Sequence, residues 1–259
     1  MSDWDASRYH RISEPQFDWG QRVIARLKPS RGECILDIGC GTGRLTQELV
    51  HAVDGGRVVG LDRSGAMIAV ARASATEDGS RRALYVRGDG AWLPFSGVFD
   101  AVFSAATLHW IHDHAAVFDS VFAALGRGGR FVAQCGGEGN LDRLYGRARH
   151  LMTTAAWQRF FGDWRDPWYF ADADTSARRL TAAGFVEVET SLEDAPVDLK
   201  TAPLFAEFVS CVCLRHTLDR LPLGQRDAFM SEVTGEYARD PQPFVLDYRR
   251  LNIHARKAA

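Results

Sequence analysis

The chain has 259 residues, a net charge of −2 and an apolar share of 46%. That balance supplies one α/β core and predicts no bulk attraction to nucleic acid or to an anionic membrane. No apolar run is long enough to span a bilayer, the first residues lack an apolar signal core, and the five cysteines fit neither a disulfide frame nor a zinc spacing, so a cytoplasmic protein is expected. Residues 1–33 are rich in aromatics (Trp4, Tyr9, Phe17, Trp19), and Val23, Ile24 and Leu27 then recur at helical spacing. Pro29 and Gly32 close that helix.

Ile35, Leu36 and Ile38 form a short apolar run that reads as a buried parallel strand. It ends in Gly39, Gly41 and Gly43, and an amphipathic helix follows from Arg44 through Leu45, Leu49 and Val50. Strand, glycine turn and helix bring backbone close to a nucleoside, because a Cβ would block the turn and the approach. The dinucleotide spacing G-x-G-x-x-G fails, since its third position is Arg44. The glycines are spaced G-x-G-x-G, with Asp37 two residues ahead. An acid there repels a pyrophosphate and suits a cationic ligand.

This stretch resembles motif I of the class I S-adenosylmethionine (SAM)-dependent methyltransferases. The resemblance implies SAM as cofactor, with Asp37, Gly39, Gly41 and Gly43 around it. It also implies a doubly wound, Rossmann-like α/β fold: a seven-stranded, mostly parallel sheet with an antiparallel last strand and helical lid insertions. Residues 1–30 are then expected to form a helical cover, with Tyr9 touching the cofactor.

The second strand, Arg57 to Asp62, ends in an acid 19 residues after Gly43. A carboxylate at that place accepts both ribose hydroxyls. Arg63 adjoins it, Ser64 caps the next helix, and Met67 packs on the adenine or in the core. The third strand, Ala83 to Val86, leads to Asp89-Gly90-Ala91-Trp92-Leu93-Pro94-Phe95, which resembles the family's D-A-x-x-L-P-F with Gly90 interposed. Asp89 is expected to accept from the adenine amino group, and Gly90 or Ala91 to donate to the ring. The fourth strand, Phe99 to Ser104, is followed by small residues, Ser104, Ala105 and Ala106, that admit the sulfonium and an acceptor.

Leu108-His109-Trp110 resembles a segment of small-molecule methyltransferases, the group containing the trans-aconitate and malonyl-thioester carboxyl enzymes. His109 is the catalytic candidate, as base or as hydrogen-bond donor to an acceptor oxygen, with Trp110 on the substrate side. Of His109, His112 and His114, the last two are only two residues apart and would not share a helix face, and no cysteine or carboxylate cluster completes a site, so no metal is expected. Asp113 caps the next helix.

Gly126 to Arg130 forms a turn into a fifth strand, Phe131 to Cys135. Residues 140–180 read as two helical stretches rich in arginine and aromatics, and 198–240 as a second helical insertion. Together they are expected to form a lid whose Arg143, Arg147, Arg165 and Arg215 grip a carboxylate acceptor. A sixth strand spans 185–190, and the antiparallel last strand 244–255. The expected activity is methyl transfer to a small molecule, on a carboxylate or hydroxyl oxygen. Carbon or nitrogen methylation and non-catalytic SAM binding are the alternatives, and a homodimer is a possible assembly.

Overall fold

The computed structural model describes residues 14–77 and 83–259. A seven-stranded sheet forms its centre, built from β1 (Cys34–Ile38), β2 (Arg57–Asp62), β3 (Ala83–Arg87), β4 (Phe99–Ala105), β5 (Leu125–Gly136), β6 (Val186–Asp194) and β9 (Arg249–Arg256), in the order β3-β2-β1-β4-β5-β9-β6. The first five strands pair in parallel, and β9 runs antiparallel between β5 and β6. The inner strands β1 and β4 bury both faces, which is why β1 reads as a continuous apolar run, whereas β3 and β6 at the edges stay largely exposed.

Helices α1 (Glu14–Leu27) and α2 (Arg44–Ala52) cover one face, with Val23, Leu27, Leu49 and Val53 packed among Ile35, Phe103 and Val132. Helices α4 (His114–Ala124) and α6 (Ala173–Ala182) cover the other, packing Val117, Phe118 and Leu180 among Leu36, Phe131 and Ile253. Helix α3 (Gly65–Glu77) packs Ile68 and Ala71 with Tyr85 and Cys40. The expected caps hold: Ser64 Oγ accepts from Met67 N at 3.2 Å, and Asp113 Oδ1 from Ala116 N at 3.0 Å.

The two inserted regions share a third core. It joins α5 (Asp142–Thr153), residues 154–168, α7 (Ala202–Phe208), a π-helical turn (Val209–Cys213), α8 (Arg215–Asp219) and α9 (Leu223–Tyr237) to Trp19 and to a two-stranded sheet of β7 (Val197–Asp198) and β8 (Val245–Leu246). The second stretch expected to be helical, from Trp157 to Phe170, makes only a 3-10 turn at Gln158–Phe160. Pro167 and Gly162 oppose a helix there, while Trp157, Phe161 and Trp168 are all buried. The fifth strand starts earlier than expected, at Leu125, and the last expected strand is divided into β8 and β9.

Arg143 and Arg147 serve this helical layer. Arg147 donates twice to Asp240, at 2.9 and 2.6 Å, and stacks over Tyr237 at 4.4 Å. Arg143 pairs with Asp240 and Asp247 and donates to Val245 O at 2.7 Å. The Arg147 hydrogen bond holds the Asp240 carboxyl below its ordinary range. Arg147→Ala is therefore expected to cost about 2 kcal/mol of stability in urea unfolding, with SAM affinity unchanged. Unaltered stability together with lost turnover would return Arg147 to the acceptor site.

Candidate functional site

The site lies at the C-terminal ends of β1, β2 and β4, where open α/β sheets place ligands. Gly39, Gly41 and Gly43 all have left-handed backbone, with φ of +77°, +54° and +85°. A Cβ on Gly39 would stand 2.0 Å from Thr107 Oγ1, so the turn needs glycine for space as well as for φ. At Gly41 nothing lies within 4 Å of a Cβ position, and this residue borders a cavity of about 720 Å³. That is within the usual range for small-molecule sites, roughly 300–1,000 Å³.

Asp62 is fixed by the turn. Its Oδ2 accepts from Gly41 N at 2.9 Å and its Oδ1 from Ser64 N at 2.8 Å. A carboxylate has about four lone-pair sites, the acceptor chemistry that suits a sugar hydroxyl. Asp62, Arg63, Met67, Asp89, Gly90, Ala91 and Ala105 line the cavity with Gly39 and Gly41. Ala91 N donates to Asp89 Oδ1 at 3.0 Å.

Three of the expected cofactor residues stand behind this wall. Asp37 is buried and accepts from Thr46 Oγ1 at 2.7 Å. Burial pushes its carboxyl up to about 7; the Thr46 hydrogen bond opposes that rise and the Asp62 charge adds to it. Ser104 Oγ donates to Ile38 O at 2.9 Å. A Cβ on Gly43 would lie 2.6 Å from the Tyr85 hydroxyl oxygen. These residues hold the turn's shape from within and do not line the cavity. Tyr9 lies outside the described residues, as does the first part of the expected 1–30 cover.

A second, smaller chamber of about 40 Å³ adjoins the first. That is room for roughly three waters, or one carboxylate group. Ala106 and Trp110 line both spaces, so they form the junction. Ala106 has a φ of +54° without being glycine, and its N–H is held by Gln134 O at 2.8 Å. Such strain is characteristic of functional sites.

His109 lies on the chamber wall, and its Nδ1 accepts from Gly136 N at 3.2 Å. Burial, then the charges of Arg250 and His114, hold its pKa well below the ordinary imidazole value. The neutral ring with an occupied Nδ1 carries its proton on Nε2, which makes that atom a donor and not an acceptor. A depressed pKa also means His109 stays neutral when the pH falls through 6.5. Turnover is accordingly expected to vary less than about twofold between pH 6 and 8. A base of ordinary imidazole pKa, about 6.5, would instead lose about fourfold in turnover between pH 8 and pH 6, and such a profile would restore the base role.

Arg250 is the residue that sequence reading missed. It is 2% exposed, lines the chamber, and holds its guanidinium over the rings of Trp19, at 4.6 Å, and Tyr248, at 6.0 Å. In β9, Leu251, Ile253 and Ala255 belong to the core beneath α4 and α6, so Arg250, Asn252 and His254 face α1. Arg26 on α1 donates to Asn252 Oδ1 at 2.6 Å. That alternation was the available signal, but burial on both faces disguised it. By contrast, none of Arg143, Arg147, Arg165 and Arg215 lines either cavity. Arg165 is exposed, and Arg215 faces Asp219 at 3.7 Å. Long cationic side chains on this layer find acidic partners nearer than the chamber. His216, also unforeseen, lines the larger cavity with its ring 5.2 Å from Trp110.

Residues 35–129 match the family model described as a methyltransferase domain. The chain is 34% identical to the uncharacterized methyltransferase C70.08c of Schizosaccharomyces pombe over 190 residues, 70% of each chain. It is 28% identical to the trans-aconitate 2-methyltransferase of Paracidovorax citrulli across the full length of both. The fold is shared with the YcgJ protein of Bacillus subtilis, with a TM-score of 0.66 at 17% identity over 94% of this chain and 99% of that one. It is also shared with a phosphoethanolamine N-methyltransferase of Haemonchus contortus solved with S-adenosylhomocysteine, with a TM-score of 0.62 at 20% identity. There the match covers 94% of this chain and about half, 53%, of that longer one.

Proposed function

Because this chain belongs to the class I SAM-dependent methyltransferases and uses SAM on small molecules, we propose that its methyl acceptor is a carboxylate oxygen of a small organic acid. One observation carries this reading: a buried guanidinium, Arg250, lines a carboxylate-sized chamber that meets the nucleoside cavity at Ala106 and Trp110. Guanidinium selects planar anions through paired hydrogen bonds. The trans-aconitate 2-methyltransferases among the relatives fit the same chemistry.

The cofactor side follows from the residues around the larger cavity. Asp62 would hold the ribose, Met67 would pack on the adenine, Asp89 would accept from its amino group, and Gly90 N–H would donate to its ring. Asp37, Gly43 and Ser104 keep the turn in the shape that Gly41 presents. Bound there, SAM would supply a methyl group activated by its cationic sulfonium, with S-adenosylhomocysteine as the leaving product.

The chain's own work is to hold that oxygen at the junction and exclude water from it. Arg250 anchors the carboxylate, the Nε2–H of His109 orients it, and the Trp110 ring walls it in. A carboxylate is already ionised at neutral pH and needs no base. Incubation with methyl-labelled SAM and trans-aconitate, then with deproteinised cell extract, tests this. A labelled methyl ester released by mild alkali is the expected product. Label confined to alkali-stable carbon or nitrogen products would overturn the assignment.

A further inference from the structure

Gln16 of α1 also lines the acceptor chamber, and it is 9% exposed. Its Nε2 donates to the Tyr248 hydroxyl at 3.4 Å, and its buried Oε1 has no hydrogen-bond partner. A buried amide oxygen without a donor is costly, and native proteins rarely keep one unless a ligand or water completes it. The chamber itself limits what that completion is. Arg250 lines the same chamber and supplies a cationic guanidinium there. The Tyr248 hydroxyl both accepts and donates, and it lies 3.4 Å from Cys213 Sγ. Turned end for end, the Gln16 amide therefore keeps its bond to Tyr248, now as acceptor, and offers its NH₂ to the chamber. The two orientations of an amide differ only in this placement of O and N.

We infer that Gln16 is a second acceptor-binding residue, whose amide NH₂ donates to the carboxylate that Arg250 anchors and fixes which oxygen faces the junction. The inference rests on the carboxylate reading above. It gives α1 a share in acceptor recognition, since Gln16 and Trp19, which carries the Arg250 guanidinium, lie one helical turn apart on the same helix.

The charge of the substituted side chain is the test. Gln16→Leu removes the donors and keeps the bulk. Gln16→Glu keeps the shape and places an anion beside the acceptor's. Transfer of label from methyl-labelled SAM to alkali-labile product is measured for both, with trans-aconitate and with deproteinised extract as acceptor sources, and SAM affinity is measured by calorimetry. With SAM affinity kept within threefold, Gln16→Leu is expected to lower kcat/KM for the acceptor about tenfold or more. Gln16→Glu is expected to lower it about a hundredfold or more. If Gln16→Glu is as active as wild type, or more active than Gln16→Leu, the amide reads a donor on the acceptor through Oε1 and the inference fails. If the wild-type protein forms no alkali-labile product from either source, the carboxylate reading fails and takes this one with it.

Discussion

Arg250→Ala is expected to lower kcat/KM for the acid acceptor by at least about a hundredfold while SAM still binds within threefold of wild-type affinity. Truncating one side of a buried, hydrogen-bonded charge pair costs about 2–5 kcal/mol, and each 1.4 kcal/mol is about tenfold. Arg250 is that side, with its guanidinium over the Trp19 ring, at 4.6 Å, in a chamber separate from most of the nucleoside wall. Arg250→Lys keeps the charge but loses the planar fork, so an intermediate loss of about tenfold is expected. Because Arg250 is in a central strand, folding is checked by SAM calorimetry on each variant. Arg250→Ala within fivefold of wild type on the acceptor would remove the residue from the site, and the carboxylate argument with it.

Asp62→Ala is expected to weaken SAM and S-adenosylhomocysteine equally, each by about a hundredfold or more. Two hydrogen bonds to a charged acceptor contribute about 1.5–3 kcal/mol each. The same substitution releases Gly41 N and Ser64 N, which the carboxylate holds at 2.9 and 2.8 Å, so the turn loosens as well. The equality is the diagnostic part, since both ligands carry the same sugar and differ only at sulfur. Asp62→Asn keeps one oxygen and can satisfy only one of the two backbone donors well, so it falls between. Calorimetry of both ligands measures this. Loss for SAM alone would move Asp62 from the sugar to the charged end of the ligand.

The glycine turn and the acid after it were legible because they are local. Gly39, Gly41 and Gly43 are needed for positive φ within five residues, and Asp62 closes the next strand of the same βαβ unit. The parallel strands also announced themselves as apolar runs, and the antiparallel closing strand was expected from the family resemblance. The smaller chamber beside that turn was not legible, and the lid arginines show why. Arg147 reads as a free cation on a helix until Asp240, 93 residues away, is brought 2.6 Å from it. A side chain's charge is visible in sequence, whereas the partner that neutralises it is not.

By itself the sequence determined the strand–turn–helix geometry, the carboxylate one strand over, and the caps of the helices, because each depends on backbone conformation over a few residues. Only the tertiary structure decided which cation lines the chamber beside the glycine turn. The insertion of β9 between β5 and β6 carries Arg250 to the same chamber as His109 and Gln16, across more than 100 residues of chain. Strand pairing sets that convergence, and the pairing depends on the total burial of both sheet faces, which no single segment encodes.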